Sequence, residues 1–521
     1  MSSVDATPED VSVVEVGPGG VTPAQVLAVA RGGAHVSLSP AALAAMDVSR
    51  RFVEALAAGP VPTYGVSTGF GALATRHIDP GQRAQLQLSL VRSHAASMGR
   101  IVDEEVIRGL MFLRLRSLAT GRTGVRPLVA EALAALLNAG VTPIAREHGS
   151  LGCSGDLAPL AHCALALIGE GEVMGPDGQP TPTRPLLDRA GLAPVVLEAK
   201  EGLALINGTD GMLAMLVMAC EDLGHLCQVA DITAALSVEG LLGTDQAFLP
   251  GLQHDLRPHP GQTASAANLL ALLAGSAIVA SHRTGDSRVQ DAYSLRCAPQ
   301  VAGAVRDTLA HACAVADREL RSAIDNPVVL ADGTIASNGN FHGAPLAYVL
   351  DFLAICVADL SSISERRTDR MLDPARSHGL PPFLAGDPGV DSGLMIAQYT
   401  QAAMVSENKR LATPASVDSI PSSAMQEDHV SMGWAGGLKL RLALDNLRRV
   451  LAIELVAGAR AVQLRAPLAP APATAAVIAE LRRVVRGPGP DRWLSPELEH
   501  AERLIASGRV LQAAQSVTAL Q

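Results

Sequence analysis

Aromatic residues are nearly missing from this chain, which has two Trp, four Tyr and seven Phe in 521 residues. A core without rings must be aliphatic and Ala-rich, so an aromatic side chain set in a polar string stands out. Positive charge is also in deficit, with 41 Lys and Arg against 51 Asp and Glu and a formal net charge of −10. No global positive field exists to attract phosphate, and no Lys/Arg block supplies a local one, which argues against nucleic acid or an acidic membrane as partner. The seven cysteines are scattered, odd in number and free of any Cys-x-x-Cys spacing. That usage fits a reduced compartment better than a disulfide framework. The most apolar tract, Ala266 to Ala280, is shorter than the roughly 20 residues of a membrane span. The N-terminus lacks the basic and apolar regions of a secretory signal, so the expectation is a cytoplasmic, soluble protein.

What is present is mostly helical pattern. At about 150 residues per domain the length allows roughly three domains. Residues 82–97, 103–119, 125–138, 262–281, 300–324, 344–366 and 392–411 combine Ala/Leu richness with apolar spacings of three and four, the period of a helix with one buried face. The stretch 427–465 contains no Pro and is long enough for a helix of roughly 55 Å. Gly436 and Gly437 are expected to bend or weaken it. Such helices call for bundle packing. Strand signals are few. Pro176-Asp177-Gly178 marks a hairpin over 172–183, and Asp332-Gly333 marks another near 328–336. Pro/Gly-rich breaks fall at 379–390, 466–472 and 487–496.

Several generic motifs carry little. Gly65-Val66-Ser67-Thr68-Gly69 matches the nucleophile elbow of a serine hydrolase, which would make Ser67 a nucleophile. That device needs a buried strand before it, and Val61-Pro62-Thr63-Tyr64 is short and Pro-broken. No phosphate loop or dinucleotide fingerprint is present. His254 and His259 flank Pro258, which suits a surface loop better than a helical metal pair. Glu427-Asp428-His429 lacks a second ligand cluster, so no metal is expected.

The informative segment runs Gly149-Ser150-Leu151-Gly152-Cys153-Ser154-Gly155-Asp156-Leu157-Ala158-Pro159-Leu160-Ala161-His162. Three glycines recur at every third position just before a helical pattern. Taken alone this reads as a flexible loop capped by Ser154 or Asp156 at a helix N-terminus. The whole string, however, resembles the signature of the aromatic amino acid lyases. Further strings follow in that family's order from about residue 60 to 460. Thr63 to Gly71 looks like its tyrosine loop, with Ser67 where Asn is common, and Glu201 to Thr209 like its asparagine string. Gln290 to Cys297, Gly339 to Gly343 and Gln426 to Ser431 complete the set, with Met425 standing where Asn is frequent.

The resemblance implies a mainly α fold, a long-helix bundle with a smaller mixed N-terminal part. It places the tyrosine loop and the tripeptide in residues 1–200, a long-helix bundle in 201–465 and a C-terminal helical segment in 466–521. It also implies that Cys153, Ser154 and Gly155 cyclise on themselves to 4-methylidene-imidazol-5-one (MIO), with no diffusible cofactor. Gly155 nitrogen attacks the carbonyl of Cys153, and Ser154 loses its hydroxyl as water to leave a methylidene carbon. Gly155 suits the attack because it has no Cβ. Cys153, where Ala is usual, contributes only its carbonyl. Tyr64 becomes the general base, which requires a pKa below its ordinary value near 10. Arg296 becomes the fork for the substrate carboxylate. Asn207, Gln290 and Tyr293 surround the electrophile, Phe341 walls the pocket, and Gln426 and Glu427 come from the last string.

Two positions bear on the substrate. His94 in Ser93-His94 can hydrogen-bond an imidazole where Leu would serve a phenyl ring. Glu427 can pair with a partly protonated imidazole and would be poorly satisfied against a phenyl face. Both point to L-histidine, converted to trans-urocanate and ammonia as the first step of its degradation. The alternatives are a tyrosine or phenylalanine lyase or an aminomutase of the same family, a serine hydrolase using Ser67, and an uncyclised helical oligomer. The resemblance further implies a homotetramer with shared active sites.

Overall fold

The computed structural model describes residues 12–59, 63–69, 76–286 and 288–521. Helices dominate, and among the described residues the strands form four two-stranded sheets. Tertiary contacts divide the chain into two units. One holds Met1–Met218, Cys313–Asp351 and Pro414–Leu438, and the other Ala219–Ala312, Phe352–Thr413 and Lys439–Gln521. These units are discontinuous and differ from the contiguous partition expected from sequence. The physical reason is that long helices return segments distant in sequence to one neighbourhood.

The first unit begins with a small parallel pair, Val13–Val16 against His35–Leu38, joined through the helix Pro23–Ala30. Thr22 starts that helix with a capping box. Its hydroxyl accepts from Gln25 N at 3.2 Å, and Gln25 Oε1 accepts from Thr22 N at 2.9 Å. Asn138 completes the edge of the pair, accepting from Val36 N at 2.7 Å and donating to Val36 O at 2.8 Å. The helix Glu104–Ala119 is buried from Val106 onward, three arginines included. Each guanidinium donates to backbone carbonyls through its terminal nitrogens. Arg108 reaches Val29 O, Arg114 reaches Asn207 O and Ile324 O, and Arg116 reaches Ser322 O and Glu319 O. Such groups cost much to bury unpaired, so they act as fixed struts between loops. Burial pulls the Arg116 guanidinium down to about 10.

In the second unit polar groups again sit inside the helical packing. Glu454 is fully buried and accepts from Arg367 at 2.5 and 2.9 Å, Ser364 at 2.6 Å, Ser237 at 2.7 Å and Thr233 at 2.8 Å. Small residues bring its helices close. A Cβ on Gly458 would lie 2.9 Å from Leu236 Cβ, and one on Gly240 would lie 2.8 Å from Ala461 Cβ.

Most expected helices are present with shifted ends, among them Arg83–His94, Glu104–Ala119, Pro127–Asn138, Ala298–Glu319, Ala344–Leu372 and Met395–Leu411. The hairpins form at Glu172–Met174 with Pro180–Pro182 and at Val328–Val329 with Ile335–Ala336. Three readings need correction. The 262–281 pattern is two helices, Pro260–Leu273 and Ala277–Ala280, because Gly275 takes a φ of +79° between them. The long C-terminal helix starts at Gly433, and its paired glycines do not break it. Gly437 instead gives room to Met215, whose Cε would lie 2.5 Å from an added Cβ. The 31-residue helix Asp210–Gly240 was not anticipated. It and Ala344–Leu372 are long and apolar enough to cross a membrane, but 67% of each apolar window is buried inside the protein. Burial of that kind marks core helices.

Candidate active site

The Gly-rich loop is held almost atom by atom. Asp156, fully buried, accepts from Gly211 N and Met212 N at 2.9 Å each and from Ser150 Oγ at 3.0 Å. It thereby caps the first turn of the helix Asp210–Gly240, where the exposed amides favour an acceptor. Burial outweighs those donors and pushes its carboxyl up to about 7. The Asp156 amide donates to Gly208 O at 2.7 Å. Gly155 lies opposite Gly208 with a φ of +79°, and a Cβ there would stand 1.9 Å from Gly208 O. No other residue fits. Gly152 O accepts from Ser431 Oγ at 2.9 Å and from Gly343 N at 3.3 Å, and Leu151 O accepts from Met432 N at 2.8 Å. Three strings far apart in sequence therefore meet on this one loop. Stacking of His342 on His429, ring centroids 5.6 Å apart, ties two of them together again.

Cys153 and Ser154 both turn to Glu427. The thiol donates to Glu427 Oε2 at 3.0 Å and the hydroxyl to Oε1 at 3.4 Å. Ser422 Oγ donates to Oε2 at 3.3 Å, and the 422–427 turn closes through Ser422 N to Glu427 O at 2.9 Å. Ser423, Ala424 and Met425 inside this turn take φ of 52°, 52° and 70°. Burial, and after it the neighbouring Glu427, pushes the Cys153 thiol up to about 12, so it stays protonated.

A cavity of about 470 Å³ opens beside this cluster. Tyr64, His94, Ser154, Asn207 and Glu427 line it, with Leu86, Leu90, Leu157, Leu203 and Ile206 as an aliphatic wall. Arg114 holds the Asn207 carbonyl, and Asn207 Nδ2 donates back to Leu203 O at 3.3 Å. His94 Nδ1 lies 2.9 Å from Leu90 O. A carbonyl only accepts, so Nδ1 carries the proton and Nε2 is left as an acceptor. Burial lowers the His94 pKa, which keeps the ring neutral.

The structure treats the remaining expected residues differently. Gly155 acts through its backbone. Phe341 is half-buried and Gln426 exposed, and neither lines the cavity. Gln290, Tyr293 and Arg296 belong to the other unit. Gln290 is exposed, Tyr293 is 72% exposed, and the Arg296 guanidinium carbon sits 4.7 Å above the Tyr293 ring centroid. Ser67 is fully buried and accepts from Thr63 N at 2.9 Å, so it serves its own turn and offers no nucleophile. Phe70 and Gly71 of the tyrosine loop lie outside the described residues.

Asn326 is a lining residue that the sequence reading missed. Its Oδ1 accepts from Asn338 N at 3.0 Å and Ser337 Oγ at 3.1 Å, which leaves its amide hydrogens to donate. The buried ion pair of Lys200 with the preceding residue, Asp325, at 2.5 Å anchors it. Asp325-Asn326-Pro327 beside a hairpin was the only signal, and it reads as an ordinary turn.

A sequence model of the family described as "Aromatic amino acid lyase" matches residues 21–483. The chain is 66% identical to the histidine ammonia-lyase of Streptomyces avermitilis, over 97% of this chain and 99% of that protein. Among solved structures, a tyrosine aminomutase from Streptomyces globisporus superposes with a TM-score of 0.92 at 38% identity, covering 98% of this chain and 99% of that one. A histidine ammonia-lyase from Trypanosoma cruzi gives a TM-score of 0.89 at 36% identity, covering 97% and 96%.

Proposed function

The chain belongs to the aromatic amino acid lyase family, and from that premise we propose that it eliminates ammonia from L-histidine to give trans-urocanate, the first step of histidine degradation. It is a carbon–nitrogen lyase. In the reaction the Cα–N and Cβ–H bonds break and a Cα=Cβ bond forms, with no net oxidation.

The residues at 153–155 fit an MIO ring. Gly155 has the left-handed φ and the Cβ-free space against Gly208 that close approach within a five-membered ring demands. Ser154 opens on the cavity. When formed, the ring supplies an electrophilic carbon that makes the substrate amino group a better leaving group.

The chain's own residues do the rest. Tyr64 lines the same cavity as Ser154 and is the base for the β-proton. His94 Nε2, an acceptor, takes one imidazole N–H of the substrate, and the Glu427 carboxylate accepts from the second N–H that the protonated ring carries. The aliphatic wall excludes water around the reacting carbons. Asn326 offers amide hydrogens to the substrate carboxylate. Gln290, Tyr293 and Arg296 complete the pocket from a neighbouring copy in a cytoplasmic homotetramer. The observation that carries this reading is the meeting of Ser154, Tyr64, His94 and Glu427 around one cavity.

Peptide mass spectrometry tests it. The peptide containing Cys153 to Gly155 is expected to be lighter than its sequence by about 36 Da, two waters, as a covalent backbone modification. The same preparation is expected to form urocanate from L-histidine. An active preparation with an unmodified peptide, or cinnamate or coumarate formed in place of urocanate, overturns the reading.

A further inference from the structure

We propose that Cys153 is a positioning residue that holds one oxygen of Glu427, so that ring closure leaves the other oxygen free for the imidazole of the substrate. The inference rests on the function proposed above and deepens it. It starts from two contacts to one carboxylate, Cys153 Sγ to Oε2 at 3.0 Å and Ser154 Oγ to Oε1 at 3.4 Å. The two contacts have different fates. Cyclisation removes the Ser154 oxygen as water, so Oε1 loses its donor. Cys153 gives only its carbonyl carbon to the ring and keeps its side chain, so Oε2 keeps its own.

Ser422 Oγ reaches the same oxygen, Oε2, at 3.3 Å. Two donors hold Oε2, cyclisation takes the Ser154 hydroxyl away from Oε1, and Glu427 lines the cavity. Cys153 is 8% exposed, so solvent does not compete for its proton. The thiol also remains protonated at neutral pH, which makes it a donor and a poor nucleophile. An alanine at this position, the family's usual residue, has no proton to give.

The test uses full-length C153A and C153S, each first checked for the ring by the mass deficit of its own peptide. Serine restores a donor at the same position, so C153S is expected to keep kcat/KM for L-histidine within about twofold, whereas C153A loses about tenfold, the scale of one hydrogen bond to a charged group. The loss is expected in KM, with kcat nearly unchanged, because the orienting contact acts on binding of the imidazole. A second readout is independent of turnover. The S–H infrared stretch that disappears in C153S is expected at lower frequency in the parent than in E427Q, where the acceptor is uncharged. The proposal fails if C153A matches the parent, if C153S and C153A lose equally, or if E427Q leaves the S–H band unmoved. It also fails if C153A alone lacks the ring, since Cys153 would then act on cyclisation. A parent chain without the mass deficit overturns the MIO reading itself, which is a separate outcome.

Discussion

Around Gly149 to Asp156 the backbone is tied to partners from elsewhere in the chain, while the segment Gln290 to Arg296 presents an exposed glutamine and an exposed tyrosine. In the first, Gly208, Gly343, Ser431 and Met432 all bond to the loop. In the second, Arg296 bonds the nearby Asp291 carbonyl and stacks on its own neighbour Tyr293. Both segments carry the same family resemblance. The difference teaches that a single copy ties down the Gly149–Asp156 loop through its own distant segments and leaves Gln290 and Tyr293 at its surface. An exposed tyrosine with a half-buried arginine against its ring suits an interface between copies.

The most severe way to break the cradle is Gly155→Ala. The added Cβ would overlap Gly208 O, so the mass deficit is expected to vanish. The kcat is then expected to fall by at least about a thousandfold, the upper end for loss of a preorganised catalytic group. Next comes a test of the exposed segment. Ser154→Ala and Tyr293→Phe are each expected to be about a hundredfold or more impaired alone. Co-expressed in one cell they are expected to regain urocanate formation, because a mixed oligomer contains sites with both intact groups. Absence of recovery in verified mixed oligomers would show that one copy supplies both.

A smaller effect sharpens the specificity side. His94→Leu removes one neutral hydrogen bond and is expected to cost up to about tenfold in kcat/KM for L-histidine. Its ratio for L-phenylalanine over L-histidine is expected to rise. The mildest test concerns the cap. Asp156 titrates near 7 when folded and near 4 when unfolded. Its folded pKa is raised, so the stability it contributes is present below about pH 4 and is lost as pH rises towards 7. Urea midpoints are expected to show the difference between parent and Asp156→Asn shrinking or reversing across that window. A constant difference would mean that Asp156 does not titrate there.

Much of the fold was legible because amphipathic helices write their burial as a period of three and four. Ala298–Glu319 and Ala344–Leu372 were readable in that way, and Pro176-Asp177-Gly178 announced its hairpin through turn chemistry. Asp210–Gly240 escaped because its first ten residues are buried on every side. A helix apolar all round shows no stripe. The parallel pair Val13–Val16 and His35–Leu38 was too short for alternation to register. In the site, Tyr64, His94, Ser154, Asn207 and Glu427 were named from their strings and meet at one cavity. Asn326 was missed because an Asn-Pro pair is common turn material, and only its seat beside the cavity gives it meaning.

By itself the sequence determined which chemistries the chain carries: a Ser-Gly pair able to cyclise, a tyrosine in a polar loop, a histidine and a carboxylate suited to imidazole. Those are properties of residue types and short spacings. The tertiary structure alone decided who touches whom. Cys153 and Glu427 are 274 positions apart, and no local rule pairs them. Packing of distant segments selects one partner for each buried polar group, since leaving such a group unpaired costs more than the fold can spare.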